Sequence, residues 1–226
     1  MELAIDTSTS WGGLAVSLEG SPVAELIWKP GQNHTSELFP NINSLLQTVK
    51  SDFRSLSAVF VAIGPGSFNG LRAGISAAKG LAFSLNLPLV GISTLEAEAI
   101  MFAFTGLPLC PVHDAGRGEI ATALYCYADG WQQLKEEHLT TVEALCERTD
   151  QKTLFCGEIP AAAIENIRAS LGHNAVIPEW EQRLRRPGNI AYLGWRRLKS
   201  GQSSNPIALQ PLYLRQPPIT QRKKKY

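Results

Sequence analysis

Long apolar runs are missing from this chain of 226 residues. The longest, residues 99–112, is interrupted by Thr105, Gly106, Pro108 and Pro111, and it falls short of the about 20 residues that a bilayer-crossing helix needs. No basic segment precedes an apolar stretch at the start, where Glu2 and Asp6 intervene, so no secretory leader is expected and the expected location is the cytoplasm, with no membrane partner. Cysteine is scarce. Cys110, Cys126, Cys146 and Cys156 stand 16, 20 and 10 apart without a Cys-x-x-Cys pair, which excludes the common zinc and disulfide frameworks and predicts free buried thiols. Histidine is scarce as well, and His34, His113, His138 and His173 show neither ligand spacing nor a His-Glu-x-x-His pair. No metal site is expected. What is present is 44% hydrophobic and 18% charged residues, the balance of one domain or two compact lobes with a real core.

The net charge of +1 hides a strong asymmetry. Residues 181–226 carry eleven Lys or Arg against one acid, whereas residues 106–180 carry five against eleven. The basic arm includes Arg183, Arg185, Arg186, Arg196, Arg197 and the run from Arg222 to Lys225. Two readings stand: contact with RNA phosphates or an acidic partner, or a solvated helix face and tail that neutralise the acidic middle.

The most specific stretch runs from Ala58 to Ala82: an apolar strand, a turn holding Gly64, Pro65 and Gly66, then an Ala/Gly-rich helix from Gly70. Gly64, Gly66 and Gly70 can adopt positive φ, and the helix start offers unpaired amides to an anion or carbonyl. The turn is either structural or a ligand loop. It is not a Walker loop, because Leu71 and Arg72 stand where Lys and Ser/Thr are required, and its glycine spacing misses the dinucleotide fingerprint. Along the helix, Leu71, Ile75, Ala78, Ala82 and Leu85 form a sheet-facing stripe, and Ala73, Ala77, Gly80 and Ser84 a second stripe of small residues. Small side chains let another helix approach closely, from the same chain or from a partner.

The remaining pattern reads as a repeat. Strands over 3–5, 13–18 and 22–28 precede a helix that is capped by Thr35 or Ser36 and carries Leu38, Phe39, Ile42, Leu45, Leu46 and Val49 as its apolar stripe. Strands over 58–63 and 88–91 follow, each with a helix behind it, the second over 94–104. After Pro108 the order recurs in shorter form, with strands over 110–113, 119–127, 131–139 and 154–156 and helices over 142–147 and 161–171. Each half opens on a strand ending in Asp, Asp6 before Thr7 and Ser8, and Asp114 before Ala115 and Gly116. Two ribonuclease-H-like lobes, residues 1–105 and a smaller 106–226 that includes the basic C-terminal helix and tail, give an α/β fold of the actin-like (ASKHA) class with mixed sheets.

Five short motifs in order resemble one family. They are Leu3 to Thr9; Asn33, His34, Thr35, Ser36 and Glu37; Gly64 to Arg72 with Ala78 to Ala82; Gly91 to Glu96; and Pro211 to Arg215. Together they are similar to the bacterial TsaB (YeaZ) family. The resemblance implies a two-lobe protein in the pathway that places threonylcarbamoyl on the adenosine beside the tRNA anticodon. It further implies a non-catalytic, activating partner of the paralogous transferase TsaD, with the ATPase TsaE joining the assembly, tRNA reached through the complex, and a homodimer when the chain is alone. The catalytic paralogue carries a His-x-x-x-His pair where this chain has Thr94 and Glu98, so an older glycoprotease reading finds no metal motif here.

The expected partner interface joins Leu38, Phe39, Ile42, Leu45, Leu46 and Val49 of the first helix to Ala73, Ala77, Gly80 and Ser84 of the second. The alternative is an independent actin-like enzyme hydrolysing ATP with magnesium in a cleft of Asp6, Thr7, Ser8, Gly64, Gly66 and Asp114. Strand-end aspartates also cap turns, and that role is preferred for Asp6 and Asp114. No catalytic residue and no intrinsic cofactor are expected, although ADP or ATP can lie in the cleft or at the partner boundary. Arg117 departs from the family pattern through the extra Gly116, and His34 beside Ser36 reads as a helix start rather than a dyad.

Overall fold

The computed structural model describes residues 1–30 and 34–215, leaving out the side chains of residues 34 and 35. Asn33, the Thr35 side chain and the basic run after residue 221 therefore lie outside the described residues. The chain opens with β1 (Glu2–Asp6), β2 (Gly12–Leu18) and β3 (Ser21–Trp28), then α1 (His34–Thr48), β4 (Ala58–Gly64), α2 (Phe68–Leu85) and β5 (Leu89–Ser93). These strands form one sheet in the order β3-β2-β1-β4-β5, with β1 antiparallel to β2 and parallel to β4. α1 begins at His34, so Ser36 lies inside the first turn instead of capping it.

α3 (Thr94–Ala99) and a 3-10 helix reaching Thr105 lead to the second half. It consists of β6 (Leu109–Gly116), β7 (Glu119–Tyr127), β8 (Trp131–Thr140), α4 (Val142–Glu147), β9 (Thr153–Cys156), α5 (Ala161–Leu171) and β10 (Ala175–Val176). The sheet order, β8-β7-β6-β9-β10, repeats that of the first sheet with the same strand directions. The repeat is shortened: α4 has 6 residues where α1 has 15. β10, only two residues long, carries too little pattern to be read from the sequence. The fold is the actin-like two-lobe α/β architecture with mixed sheets.

Period-two alternation decides what covers the first sheet. Leu3, Ile5, Leu14, Val16, Val59 and Val61 face α1 and α2, while Ala4, Ala15, Ala58, Phe60 and Ala62 face the other way. That shallow alanine face receives α7 (Pro187–Lys199) through Ile190, Ala191 and Leu193. A Cβ on Gly194 would overlap the Phe60 ring, so the helix lies as close as its backbone permits. The basic C-terminal helix, grouped by sequence with the second lobe, thus packs on the first sheet. It arrives after α6 (Trp180–Arg183).

α3 is buried at every position. It links the two sheets, with Ala97 in the core against the first and Leu95 and Ala99 in the core against the second. Beyond α7 the chain returns along the first lobe. Ser204 N–H donates to Leu89 O at 2.7 Å and Leu212 N–H to Ile63 O at 2.7 Å, and Arg215 then pairs with Glu119 of the second lobe. Three cysteines are buried and Cys126 is half-exposed, so the expectation of buried free thiols holds for three of the four.

Candidate functional site

The chain turns where β1 ends, and Asp6 fixes that turn. Its Oδ1 accepts from Ser8 N–H at 2.9 Å and from the Ser8 hydroxyl at 2.6 Å. Its other oxygen receives Nε of Arg185, a buried side chain from the segment between α6 and α7. The same guanidinium donates to Glu98 Oε1 on α3 and to Thr9 Oγ1, each at 3.0 Å. Glu98 Oε2 meets His113 Nε2 of β6 at 2.6 Å, and the Thr9 hydroxyl donates to Glu158 Oε1 at 2.5 Å. Groups from both lobes therefore converge on one guanidinium. Burial alone would lower the pKa of Arg185, but the facing carboxylates of Asp6, Glu98 and Glu158 outweigh it and the net shift is upward. Asp114 is exposed, and its Oδ1 accepts from Gly116 N–H at 2.8 Å within its own turn.

The glycine loop packs onto the turn after β1. Gly64 has φ of 111°, but Gly66 and Gly70 are not among the positive-φ residues. Their need for glycine is proximity: a Cβ on Gly66 would overlap the Ser8 carbonyl oxygen, and one on Gly70 that of Thr7. Ser67 N–H donates to Ser8 O at 2.6 Å, and the Thr7 hydroxyl donates to Gly70 O at 2.7 Å. Ser67 also caps α2, accepting from Gly70 N–H at 3.3 Å. Beside Asp6 and Arg185 the free volume is about 10 Å³. A separate cavity of about 160 Å³ lies between Gly66, Asp114 and the returning segment at Leu212 and Tyr213.

The two helices of the expected interface divide sharply. Leu38, Ile42, Leu45 and Leu46 are buried in the protein's own core, with Val49 packed at its edge, so they are not free to meet a partner. The apolar stripe of α1 has to cover the first sheet, and a stripe serves one side only. Ala77 is buried too. What α1 and α2 leave open is a groove of about 590 Å³ lined by Phe39, Asn69, Arg72, Ala73 and Ser76, among others. Around it Phe39 and Phe68 stand half-exposed, and Phe83, further along α2, is 85% exposed. Gly80 and Ser84 are exposed, and a Cβ on Gly80 would meet open space. The Arg72 guanidinium lies 3.8 Å over the Phe68 ring and donates to the Tyr213 hydroxyl at 3.1 Å, so the returning segment frames one end of this face.

A family model described as "TsaD: tRNA N6-adenosine threonylcarbamoyltransferase" matches residues 29–172. The Bacillus subtilis tRNA threonylcarbamoyladenosine biosynthesis protein TsaB is 34% identical over 218 residues, covering 94% of this chain and 93% of its own length. The chain belongs to the TsaB family. YeaZ from Pseudomonas aeruginosa shares the fold with a TM-score of 0.81 at 22% identity, over 94% of this chain and 99% of that one. The activator of 2-hydroxyisocaproyl-CoA dehydratase from Clostridium difficile, solved with bound ADPNP, is a more distant likeness, with a TM-score of 0.51 at 9% identity over 89% of this chain and 96% of that one.

In this TsaB-family chain the positions of the paralogue's histidine pair hold two buried groups of different character. Glu98 enters the Arg185 network, whereas the Thr94 hydroxyl is buried without a hydrogen-bond partner among the described residues. Among the described residues no cluster of three or more His, Cys, Asp or Glu is placed to hold a metal ion, and no helix is long and apolar enough to cross a membrane. Among the described residues of the basic arm, Arg183 and Arg185 are buried, Arg197 is half-buried and Arg186 and Arg196 are exposed. Arg183 donates to Gly157 O and Pro178 O at 2.9 Å, Arg186 pairs with Glu25, and Arg197 pairs with Glu96. Arg185 is the residue that sequence reasoning missed, because its partners come from distant segments. The one available cue was the density of arginine just before Pro187, where two basic side chains turn inward.

Proposed function

We propose that this chain is the non-catalytic, activating subunit of the cytoplasmic assembly that forms threonylcarbamoyladenosine next to the tRNA anticodon, and that it docks on the transferase TsaD through the outer faces of α1 and α2. The observation that carries the reading is the open α1/α2 groove with Phe39, Phe68 and Phe83 exposed around it, since exposed aromatic clusters mark partner surfaces. Docking two helices against two of the partner would hold the transferase in its competent arrangement, a shift of population. Alone, the same face would pair two copies isologously. TsaE and tRNA would join through the complex.

The competing reading is an independent nucleotide-hydrolysing enzyme working through Asp6, Thr7, Ser8, Gly64, Gly66 and Asp114. Against it stand the engagement of Asp6 by Arg185 and Ser8 and the small free volumes at the cleft residues, about 10 Å³ beside Asp6 and about 160 Å³ beside Gly66 and Asp114, both below the roughly 300 Å³ of an ordinary ligand pocket. Any magnesium-bound ADP or ATP would therefore sit at the partner boundary.

The test is light scattering on the chain alone and mixed with TsaD of the same organism, followed by a tRNA threonylcarbamoylation assay with and without the chain. A homodimer that converts to a heterodimer, with modification requiring the chain, is the expected result. No association, together with nucleotide turnover by the chain alone that is lost in Asp6→Ala, would overturn the proposal in favour of the enzyme.

A further inference from the structure

The shortening of the second lobe has left a hole. In the first lobe the 15 residues of α1, together with α2, cover the outer face of the sheet, but in the second lobe the corresponding helix has 6 residues. Between that short α4, the strands β7 and β8 and the loop behind α4 lies a cavity of about 130 Å³. Its floor is apolar, with Leu124, Ala144 and Leu145, and at the bottom Cys110 Sγ and Thr122 Oγ1 lie 3.2 Å apart. Its rim is basic. Lys135 of β8 and Arg148, just beyond α4, line it and are exposed, neither in an ion pair among the described residues, and His138 and Asp150, the one carboxylate of the lining, join them.

We propose that this cavity binds a short-chain aliphatic carboxylate, its hydrocarbon end on the Leu124–Ala144–Leu145 floor and its carboxylate held at the rim by Lys135 and Arg148. The volume sets the size, because a cavity of roughly 150 Å³ holds a body of about six carbon atoms. The rim sets the charge, since two cations facing one carboxylate leave a local excess that one anionic group neutralises, and Arg and Lys are strong carboxylate donors. The floor offers no competing anion: burial pushes the Cys110 thiol up to about 12, so it remains protonated in the ordinary range. Neither the interlobe network nor the α1/α2 groove contributes a residue to this site, so its occupancy is independent of the proposed partner docking.

The experiment is an NMR titration of the full chain with sodium butanoate, read at the amides of Thr122, Leu124 and Ala144, with butanamide and inorganic phosphate as comparators. Saturable shifts with butanoate are expected, with binding weakened about tenfold in Lys135→Met and again in Arg148→Met, and abolished in the cavity-filling Ala144→Phe. Lys135 and Arg148 are exposed, so their variants test the site without disturbing the core. The proposal is overturned if butanoate produces no saturable shift. Equal binding of butanamide would also overturn it, by removing the role of charge, and so would equal binding of phosphate, by removing the role of the floor, or butanoate binding unchanged in the two rim variants.

Discussion

Arg185 donates to Glu98 at 3.0 Å across the boundary between the lobes, from the short segment that joins α6 to α7. The carboxylate it meets occupies the second position of the paralogue's histidine pair. Beside Asp6 the space between the two lobes is thus taken by the protein's own cation.

Removing that cation should be costly. In Arg185→Met, Asp6 and Glu98 lose their partner while buried, a change that typically costs about 3–5 kcal/mol. Arg186→Met breaks a pair with Glu25 whose arginine is mostly exposed, and should cost no more than about 1 kcal/mol. Urea unfolding of the two variants measures the contrast. Similar small losses in both would mean that the network does not hold the lobes together.

Thr94 calls for the opposite change. Its hydroxyl is buried without a partner among the described residues, and an unsatisfied hydroxyl typically costs about 1–3 kcal/mol. Thr94→Val keeps the branched shape and deletes the polar atom, so the variant should gain about 1 kcal/mol. A shift of the urea midpoint to higher concentration, at an unchanged slope, is the expected reading. A lower midpoint would mean that the hydroxyl has a partner after all.

The first sheet was legible in the chain because β1 and β4 are short apolar runs bounded by turn residues, and the repeat was legible because Asp6 and Asp114 stand near the ends of equivalent strands. Where α7 would lie was not. A helix carrying Arg196, Arg197 and Lys199 in its last turn looks like a solvated arm, and only the alanine face of the sheet opposite, far away in sequence, shows why it packs there. Which faces of α1 and α2 stay open was half legible for a related reason. A stripe of apolar residues announces that a helix will bury a face, but Leu38 and Ile42 say nothing about whether the cover is the chain's own sheet or another protein. Gly80, on the stripe of small residues, stays exposed, and so does Phe83, which belongs to neither stripe.

The glycines of α2 and of the loop before it separate packing from docking. Gly66→Ala and Gly70→Ala place a Cβ onto the carbonyl oxygens of Ser8 and Thr7, and backbone cannot yield as a side chain does. Each should cost several kcal/mol in urea unfolding, in the upper part of the range for single substitutions. Gly80→Ala meets open space within a helix and should gain about 0.5–1 kcal/mol. Gly80→Trp should leave the fold intact while abolishing association with TsaD in light scattering. Ala77 cannot serve as the probe of this surface, because it is part of the core. Full association by Gly80→Trp would move the docking face elsewhere.

Glu96 gives the fold a dependence on pH whose sign can be worked out. Burial raises its carboxyl above the usual range, and the Arg197 guanidinium and the Trp131 indole N–H, which donates to Oε1 at 3.1 Å, reverse that only in part. The folded protein therefore holds this proton more tightly than the unfolded chain, whose carboxyl titrates near 4.5. Where the folded state binds more protons, stability falls as pH rises. The contribution of Glu96 is thus fully present below about pH 4.5 and is lost as pH climbs through the folded value. Glu96→Gln keeps an acceptor for Trp131 and cannot titrate, so the stability of the parent relative to this variant should decline between pH 4.5 and neutrality. Urea unfolding at several pH values in that window measures the difference. A difference that is flat, or that grows with pH, would show that Arg197 rather than burial governs this carboxyl.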